Sequence, residues 1–309
     1  MEWEDDLSAL YWFARGGSEL ARWVPETVRH GLGAAIGVGS YLGWHSKRRV
    51  TQQNMAIVTG RSIDDPYVYH MARASWRNYG RYAADFINFA NVDMAIVEPT
   101  IRDMTQGVNY WSEYLECALQ AGRGVIIATA HFGNWDIAGA VLARHAPVFA
   151  VAETFNDAQL NSYLQHLRIE KGVGILPMQG SARRILRVLQ QNQCAGLVVD
   201  RPLEADQGIP ITFFGHTTYV PGGPAMLALK SGATILPGYV WYGHHHQFYL
   251  RVFPPVIPRE GKGEDKVKEV VRLTQYIYTS LEEMVREWPT QWYMFRPFWP
   301  ASTATKALR

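Results

Sequence analysis

The sequence predicts an α/β protein: a central, mostly parallel sheet flanked by helices, preceded by a helical N-terminal region. Three observations carry this. Short apolar runs alternate with helical patterns from residue 125 to residue 199, the order that builds a parallel sheet with helices on both faces. The first third lacks such runs and shows amphipathic segments instead. Of the 309 residues, 48% are hydrophobic and 19% charged, which suits a folded chain with a full core and not a disordered one.

The elements follow in order. Residues 7–30 read as an amphipathic helix, with Leu10, Trp12, Phe13, Leu20, Trp23 and Val24 set among polar residues. Residues 67–91 form another, opened by Asp64, Asp65 and Pro66, a helix-start signal. Residues 109–120 form a third, stopped by Gly122. The alternation then begins: strand 125–129, helix 135–144, strand 148–151, helix 158–171, strand 175–178, helix 181–190, strand 195–199. Residues 212–214 are followed by a helix at 223–230. Residues 234–242 and 247–253 read as a hairpin around Gly243, His244, His245 and His246, and residues 266–288 as a long closing helix. No repeat or linker divides the chain. Residues 1–309 are therefore expected to form one domain, with residues 1–60 as N-terminal membrane-associating helices.

Charge and composition narrow the function. The formal net charge is +2 with no basic stripe, so no nucleic-acid partner is expected. The 11 Trp residues fit either a membrane-facing surface or an aromatic-rich core. Cys117 and Cys194 form neither a C-x-x-C pair nor a zinc spacing, which points to a reducing cytoplasm. The chain opens on acidic residues, unlike a secretory signal. The most apolar early stretch, residues 31–44, is glycine-rich and shorter than the roughly 20 residues of a spanning helix.

The chemistry concentrates where the first strand of the alternation ends. His131, Phe132, Gly133, Asn134, Trp135 and Asp136 follow the apolar run directly, and in α/β proteins ligands bind outside the carboxyl ends of strands. Gly133 permits a tight turn. Asn134 suits the N-cap of the next helix. Asp136 falls in the first helical turn, where the dipole favours a carboxylate. A turn there can bring Asp136 back to a ring nitrogen of His131, fixing the tautomer and leaving the other nitrogen as a general base. Free N–H groups at the helix start can stabilise an oxyanion.

These residues resemble the H-x-x-x-x-D/E block of the lysophospholipid and lipid A acyltransferase superfamily. The resemblance is greatest to the bacterial branch of lipid A lauroyl and phosphatidylinositol mannoside acyltransferases. It extends over roughly residues 10–295. Lys47, Arg48 and Arg49 with Gln53 and Asn54 resemble the basic segment after the N-terminal helices. Arg168 precedes Gly172 and Val173 as an arginine precedes a glycine in the family. Val198, Val199, Asp200, Arg201 and Pro202, then Phe213 to Gly215 and Pro221 to Pro224, resemble its second conserved region, and Gly232 to Pro237 the strand after it.

The resemblance implies transfer of an acyl group from a thioester, on coenzyme A or acyl carrier protein, to a hydroxyl of a membrane lipid or glycolipid. His131 would take the hydroxyl proton, with no covalent intermediate and no cofactor beyond the acyl-donor co-substrate. The chain contains no G-x-S-x-G elbow. Two departures bear on the acceptor: Asp136 stands where lipid A enzymes commonly carry Glu, and Arg201 and Pro202 follow Asp200 where they often carry Gln. The expected protein is a peripheral enzyme on the cytoplasmic face of the cell membrane. A lysophospholipid acyltransferase and a thioesterase or lipid hydrolase are the alternatives.

The remaining candidates are Asp200, Asn134, Arg168 and Arg201. Asp200 ends a predicted parallel strand, as His131 does, and is either a second carboxylate near His131, orienting it or binding the acceptor hydroxyls, or an ion-pair partner of Arg201. Arg168 and Arg201 are candidates for a substrate phosphate, and Asn134 for substrate contact. His244, His245 and His246 cannot converge on one metal ion, because adjacent strand residues point to opposite faces, so no metal site is expected.

Overall fold

The computed structural model describes residues 9–300 apart from positions 106, 155, 244–246 and 261. Four helices open it: α1 (Ala9–Ala21), α2 (Glu26–Gly43), α3 (His45–Thr59) and α4 (Pro66–Ile87). The expected helix 7–30 is thus two. Pro25, at the N-cap of α2, lacks an N–H and breaks the run. Asp65 caps α4 through the Tyr67 N–H at 2.8 Å, with Pro66 in the first turn.

The glycine-rich stretch within residues 31–44 is helical despite the propensity cost of glycine, and packing is the reason. A Cβ on Gly33 would lie 2.3 Å from the Gly80 carbonyl oxygen of α4, and one on Gly37 would lie 2.2 Å from that of Trp76. The two backbones touch, and only glycine allows it. Tyr41, Met55, Val68 and Trp76 fill a small core among α2, α3 and α4.

After α5 (Met94–Val97) and the short strand β1 (Arg102–Asp103), a π-helical segment Tyr110–Glu116 runs into α6 (Cys117–Gln120). The alternation follows: β2 (Val125–Thr129), α7 (Trp135–Ala143), β3 (Val148–Ala152), α8 (Ala158–Glu170), β4 (Val173–Pro177), α9 (Ser181–Gln190) and β5 (Cys194–Val198). A separate hairpin, β6 (Ile209–Phe213) with β7 (His216–Val220), leads to α10 (Gly223–Ser231). Then come β8 (Thr234–Tyr242), β9 (Phe248–Val252) and α11 (Glu264–Glu287). The tip between β8 and β9, with its three histidines, lies outside the described residues.

The seven-stranded sheet has the order β1-β9-β8-β2-β5-β3-β4. Only the β8–β9 pair is antiparallel. Both faces are covered, as a parallel sheet requires. Alternate residues of β2 serve different cores: Ile126 and Ala128 join Ile185, Leu197, Ala225 and Leu281 on the face of α9, α10 and α11. Val125 joins Ile137, Val141, Leu167 and Val173 on the face of α7 and α8. From β2 the chain builds β3 and β4, returns to insert β5 beside β2, then crosses to β8 on the other side. The crevice at the carboxyl ends of β2 and β5 is therefore a switch point, the expected place for a ligand. In register, Thr129 faces Val198. His131 and Asp200, each two residues further on, come out side by side.

Candidate active site

The His131 ring is held by Asp200. Its Nδ1 lies 2.8 Å from Asp200 Oδ1. The His131 backbone N–H donates to both carboxylate oxygens at 3.1 Å, and Trp292 Nε1 donates to Oδ2 at 3.0 Å. Asp200 is fully buried. Burial alone would raise its pKa. Electrostatic attraction to the His131 ring and the hydrogen bonds from His131 and Trp292 outweigh burial and hold the carboxyl below its ordinary range. An ionised carboxylate on Nδ1 keeps the proton there, so Nε2 is the unprotonated nitrogen of the neutral ring. Nε2 has no hydrogen-bond partner among the described residues, and the His131 side chain is 30% exposed.

Asp136 does not turn back to His131 as the sequence reading expected. Its carboxylate accepts from the Tyr82 hydroxyl at 2.7 Å and from Arg168 Nε at 2.6 Å. The geometric reason is that Asp136 lies on the α7 side facing α4 and α8, while the Nδ1 edge of His131 faces β5. Burial and the Asp136 charge raise the Tyr82 pKa, so its hydroxyl stays a donor. Burial would lower the Arg168 pKa, but the Asp136 charge and hydrogen bond raise it. Arg168 also bonds Gln165 Oε1 at 3.0 Å and covers the Phe86 ring at 4.8 Å. It is thus anchored on Asp136 at the cavity wall.

Asn134 caps α7, accepting from the Ile137 N–H at 3.1 Å, and donates to the Tyr242 hydroxyl at 3.3 Å. It is buried, with its side chain on the Ile137 N–H and the Tyr242 hydroxyl. Gly133, at φ +59°, makes the turn. Its N–H donates to the Gln291 carbonyl at 2.9 Å, and that of Asn134 to the Val240 carbonyl at 2.8 Å. Of the expected free donors, only the N–H groups of Trp135 and Asp136 remain in the first turn of α7. Arg201 pairs with Glu153, not with Asp200. That hydrogen bond holds the Glu153 carboxyl below its ordinary range against the effect of partial burial.

A cavity of about 1000 Å³ opens at the site. His131, Trp135, Asp136, Arg168, Arg201 and Glu153 line it around the crevice. Apolar side chains line its depths on both sheet faces, among them Ile127, Leu142, Ile185 and Leu186. The Trp135 ring lies 4.0 Å from that of Tyr82 and 5.2 Å, edge-on, from that of His131. Among the described residues no cluster of three metal-ligating side chains occurs. Cys194 is buried at the start of β5, its thiol pushed up to about 12 by burial, and Cys117 is exposed.

Sequence reasoning missed Trp292 and Tyr82. The C-terminal segment 289–294 threads past the motif: Phe132 bridges Trp292, and the Tyr293 N–H donates to the His131 carbonyl at 2.8 Å. This segment is a single 3₁₀ turn, Pro289–Gln291, followed by extended chain, and has no periodicity to read. Its one signal is density of aromatic residues around position 292. Tyr82 is marked by nothing beyond its place on an amphipathic helix.

The chain matches the family model described as bacterial lipid A biosynthesis acyltransferase over residues 6–300. It is 29% identical over 291 residues to a phosphatidylinositol mannoside acyltransferase of Mycolicibacterium smegmatis, covering 92% of this chain and 90% of that protein. It is 28% identical over 304 residues to the protein of the same name from Mycobacterium tuberculosis, covering 95% and 90% respectively. Among solved structures, the 1-acyl-sn-glycerophosphate (LPA) acyltransferase PlsC from Thermotoga maritima aligns with 13% identity and a TM-score of 0.37, over 84% of this chain and 98% of that one. With nearly its whole length matched by the family model, this chain belongs to the bacterial lipid A biosynthesis acyltransferase family and is an enzyme of acyl transfer.

Proposed function

We propose that the enzyme moves a fatty acyl group from an acyl thioester, on coenzyme A or acyl carrier protein, to a hydroxyl of a membrane glycolipid, with His131 as general base. One observation carries this reading. A histidine with Nδ1 held by a buried carboxylate lines a large, deeply apolar cavity, with its Nε2 unpartnered. Nε2 takes the acceptor's hydroxyl proton as the oxygen bonds to the thioester carbonyl carbon. The C–S bond then breaks, and the proton passes from Nε2 to the leaving thiolate. The thioester is already activated, so no enzyme nucleophile is needed. The apolar walls take the acyl chain. Asp200 is the positioning carboxylate. Asp136 fixes Arg168 and Tyr82 on the cavity wall, and the uncapped N–H groups of Trp135 and Asp136 are the candidates for stabilising the oxyanion.

Both mycobacterial relatives are named for phosphatidylinositol mannosides, which makes a mannosylated inositol lipid the first acceptor to try. The enzyme would work peripherally at the cytoplasmic face of the membrane. In α1, α2 and the turn between them, Leu10, Phe13, Leu20, Trp23, Leu32 and Ile36 are exposed. Among the described residues no helix is long and apolar enough to cross a membrane.

The test is turnover by the purified protein with acyl-CoA or acyl carrier protein thioester, with and without glycolipid. Acyl-glycolipid formed only when acceptor is present supports the proposal. Release of free fatty acid at the same rate without acceptor would make it a thioesterase. Transfer to a lysophospholipid but to no glycolipid would move the acceptor to that alternative.

A further inference from the structure

A row of arginines on α4 has no ion-pair partner among the described residues. Arg73, Arg77 and Arg81 are four residues apart and follow one another along one side of the helix. Among the described residues none of the three makes an ion pair, and Nε of Arg77 and Nε of Arg81 are buried without a hydrogen-bond partner. The next carboxylate along the helix, Asp85, bonds His30 through Oδ1 at 2.7 Å and makes no ion pair with the row, its Oδ2 being buried without a partner. Partial burial, then the charges of Arg81 and Arg73, lower the pKa of the Arg77 guanidinium. Like charges four apart weaken a helix, and buried donors without acceptors cost stability. Among the described residues no carboxylate is paired with the row.

The row borders an apolar surface. The Arg77 Cα lies 3.4 Å from where a Gly37 Cβ would stand, so the row runs along the crossing with α2. The outward side of α2 carries Leu32 at 59% exposure and Ile36 at 67%. No Asp, Glu, Lys or Arg occurs between Arg29 and Lys47. A free anion would satisfy the arginines but leave this face in water. An anionic bilayer satisfies both, because guanidinium groups suit phosphate and an apolar helix face inserts at the acyl boundary.

We propose that Arg73, Arg77 and Arg81 together with the outward face of α2 form a docking site for anionic phospholipid, the arginines on headgroup phosphates and Leu32 and Ile36 at the acyl boundary. The proposal rests on the membrane reading above and specifies the face and the lipid charge.

Flotation of the full chain tests it, using phosphatidylcholine vesicles with and without phosphatidylglycerol, at low and high salt. The parent should float with the anionic vesicles and less so at high salt. Each arginine at such a surface is worth roughly fivefold in partition. The triple variant Arg73→Gln, Arg77→Gln, Arg81→Gln should therefore lose about a hundredfold, while acyl transfer to acceptor dispersed in detergent is unchanged. Arg77→Gln alone, with a loss of about fivefold, serves if the triple variant does not fold. Leu32→Gln with Ile36→Gln should weaken binding to both vesicle types. If the parent binds anionic vesicles and the triple variant binds them equally, the docking site is wrong and the membrane reading stands. If the parent binds no vesicle, both fall. If inorganic phosphate alone raises the parent's melting temperature through these arginines while vesicle binding ignores them, the row is a free-anion site and the lipid assignment is overturned.

Discussion

Asp200→Asn separates a positioning carboxylate from a merely structural one, and the hydrogen bonds around it dictate the outcome. All its contacts are donors: the His131 backbone N–H, His131 Nδ1 and Trp292 Nε1. An asparagine of the same shape has one acceptor oxygen and one donor nitrogen. The Trp292 indole N–H can only donate, so the amide oxygen turns to it. The amide NH₂ then faces His131 Nδ1, which must accept. The ring proton moves to Nε2, and the base is lost. The expected loss in acyl-transfer rate is about 10² to 10⁴, the usual worth of a general base. Exchange of a charge-assisted hydrogen bond for a neutral one should cost about 2 kcal/mol of stability, so the variant stays folded. The assay is transfer from labelled acyl-CoA to glycolipid, paired with nitrogen-15 NMR of the histidine rings. An Asp200→Asn protein with Nε2 still unprotonated, or with near-parental turnover, would refute the assignment of Asp200.

Three further outcomes follow from the same geometry. Asp136→Asn leaves Arg168 largely buried without its carboxylate, so it should destabilise by about 3 to 5 kcal/mol, with a smaller loss of turnover per folded molecule than Asp200→Asn; denaturant melts and active-site titration compare the two. The depressed pKa of Asp200 contributes stability that is complete above the unfolded carboxylate value of about 3.9 and is lost as pH falls through the lower folded value. Acid titration should therefore show a steeper fall below about pH 4 in the parent than in Asp200→Asn. Gly133→Ala would put a Cβ 2.1 Å from the Val240 carbonyl oxygen at φ +59°. It should cost about 3 kcal/mol or more from left-handed strain plus overpacking, and a melt within 1 kcal/mol (about that margin) of the parent would contradict the close approach.

The sheet was legible because its signals are local. Residues 125–129 were expected as a strand and are one, and β3, β4 and β5 begin within two residues of their expected positions. Helices α7, α8, α9 and α11 likewise follow from periodicity and caps. The α2 helix was not legible. Residues 31–44 were read only as glycine-rich and too short to span a membrane, without helix bounds, and the partner glycine on α4, 47 residues from Gly33, is what makes them compatible with a helix. Helix α3 was hidden in the same way, since its buried Asn54 is spent on the C-terminal segment, donating to the Met294 and Arg296 carbonyls. At the site, His131 was legible from the strand-turn-helix context. Its partner was misjudged because a carboxylate five residues away in sequence was preferred to Asp200, whose proximity depends on strand register. Of the two readings open for Asp200, the structure has the contact with His131, while Arg201 goes to Glu153.

The same register has a consequence for how activity arises in time. His131 and Asp200 are 69 residues apart in the chain, and Trp292 lies 92 beyond Asp200. Neither local helix formation nor early collapse can assemble these three; β5 must insert beside β2, and the C-terminal segment must then close over the motif. Contacts of such separation form late and slowly. In refolding, acyl-transfer activity should therefore lag the recovery of helical signal and coincide with burial of Trp292. A kinetic experiment that follows both signals would read the order of sheet closure directly from the chemistry.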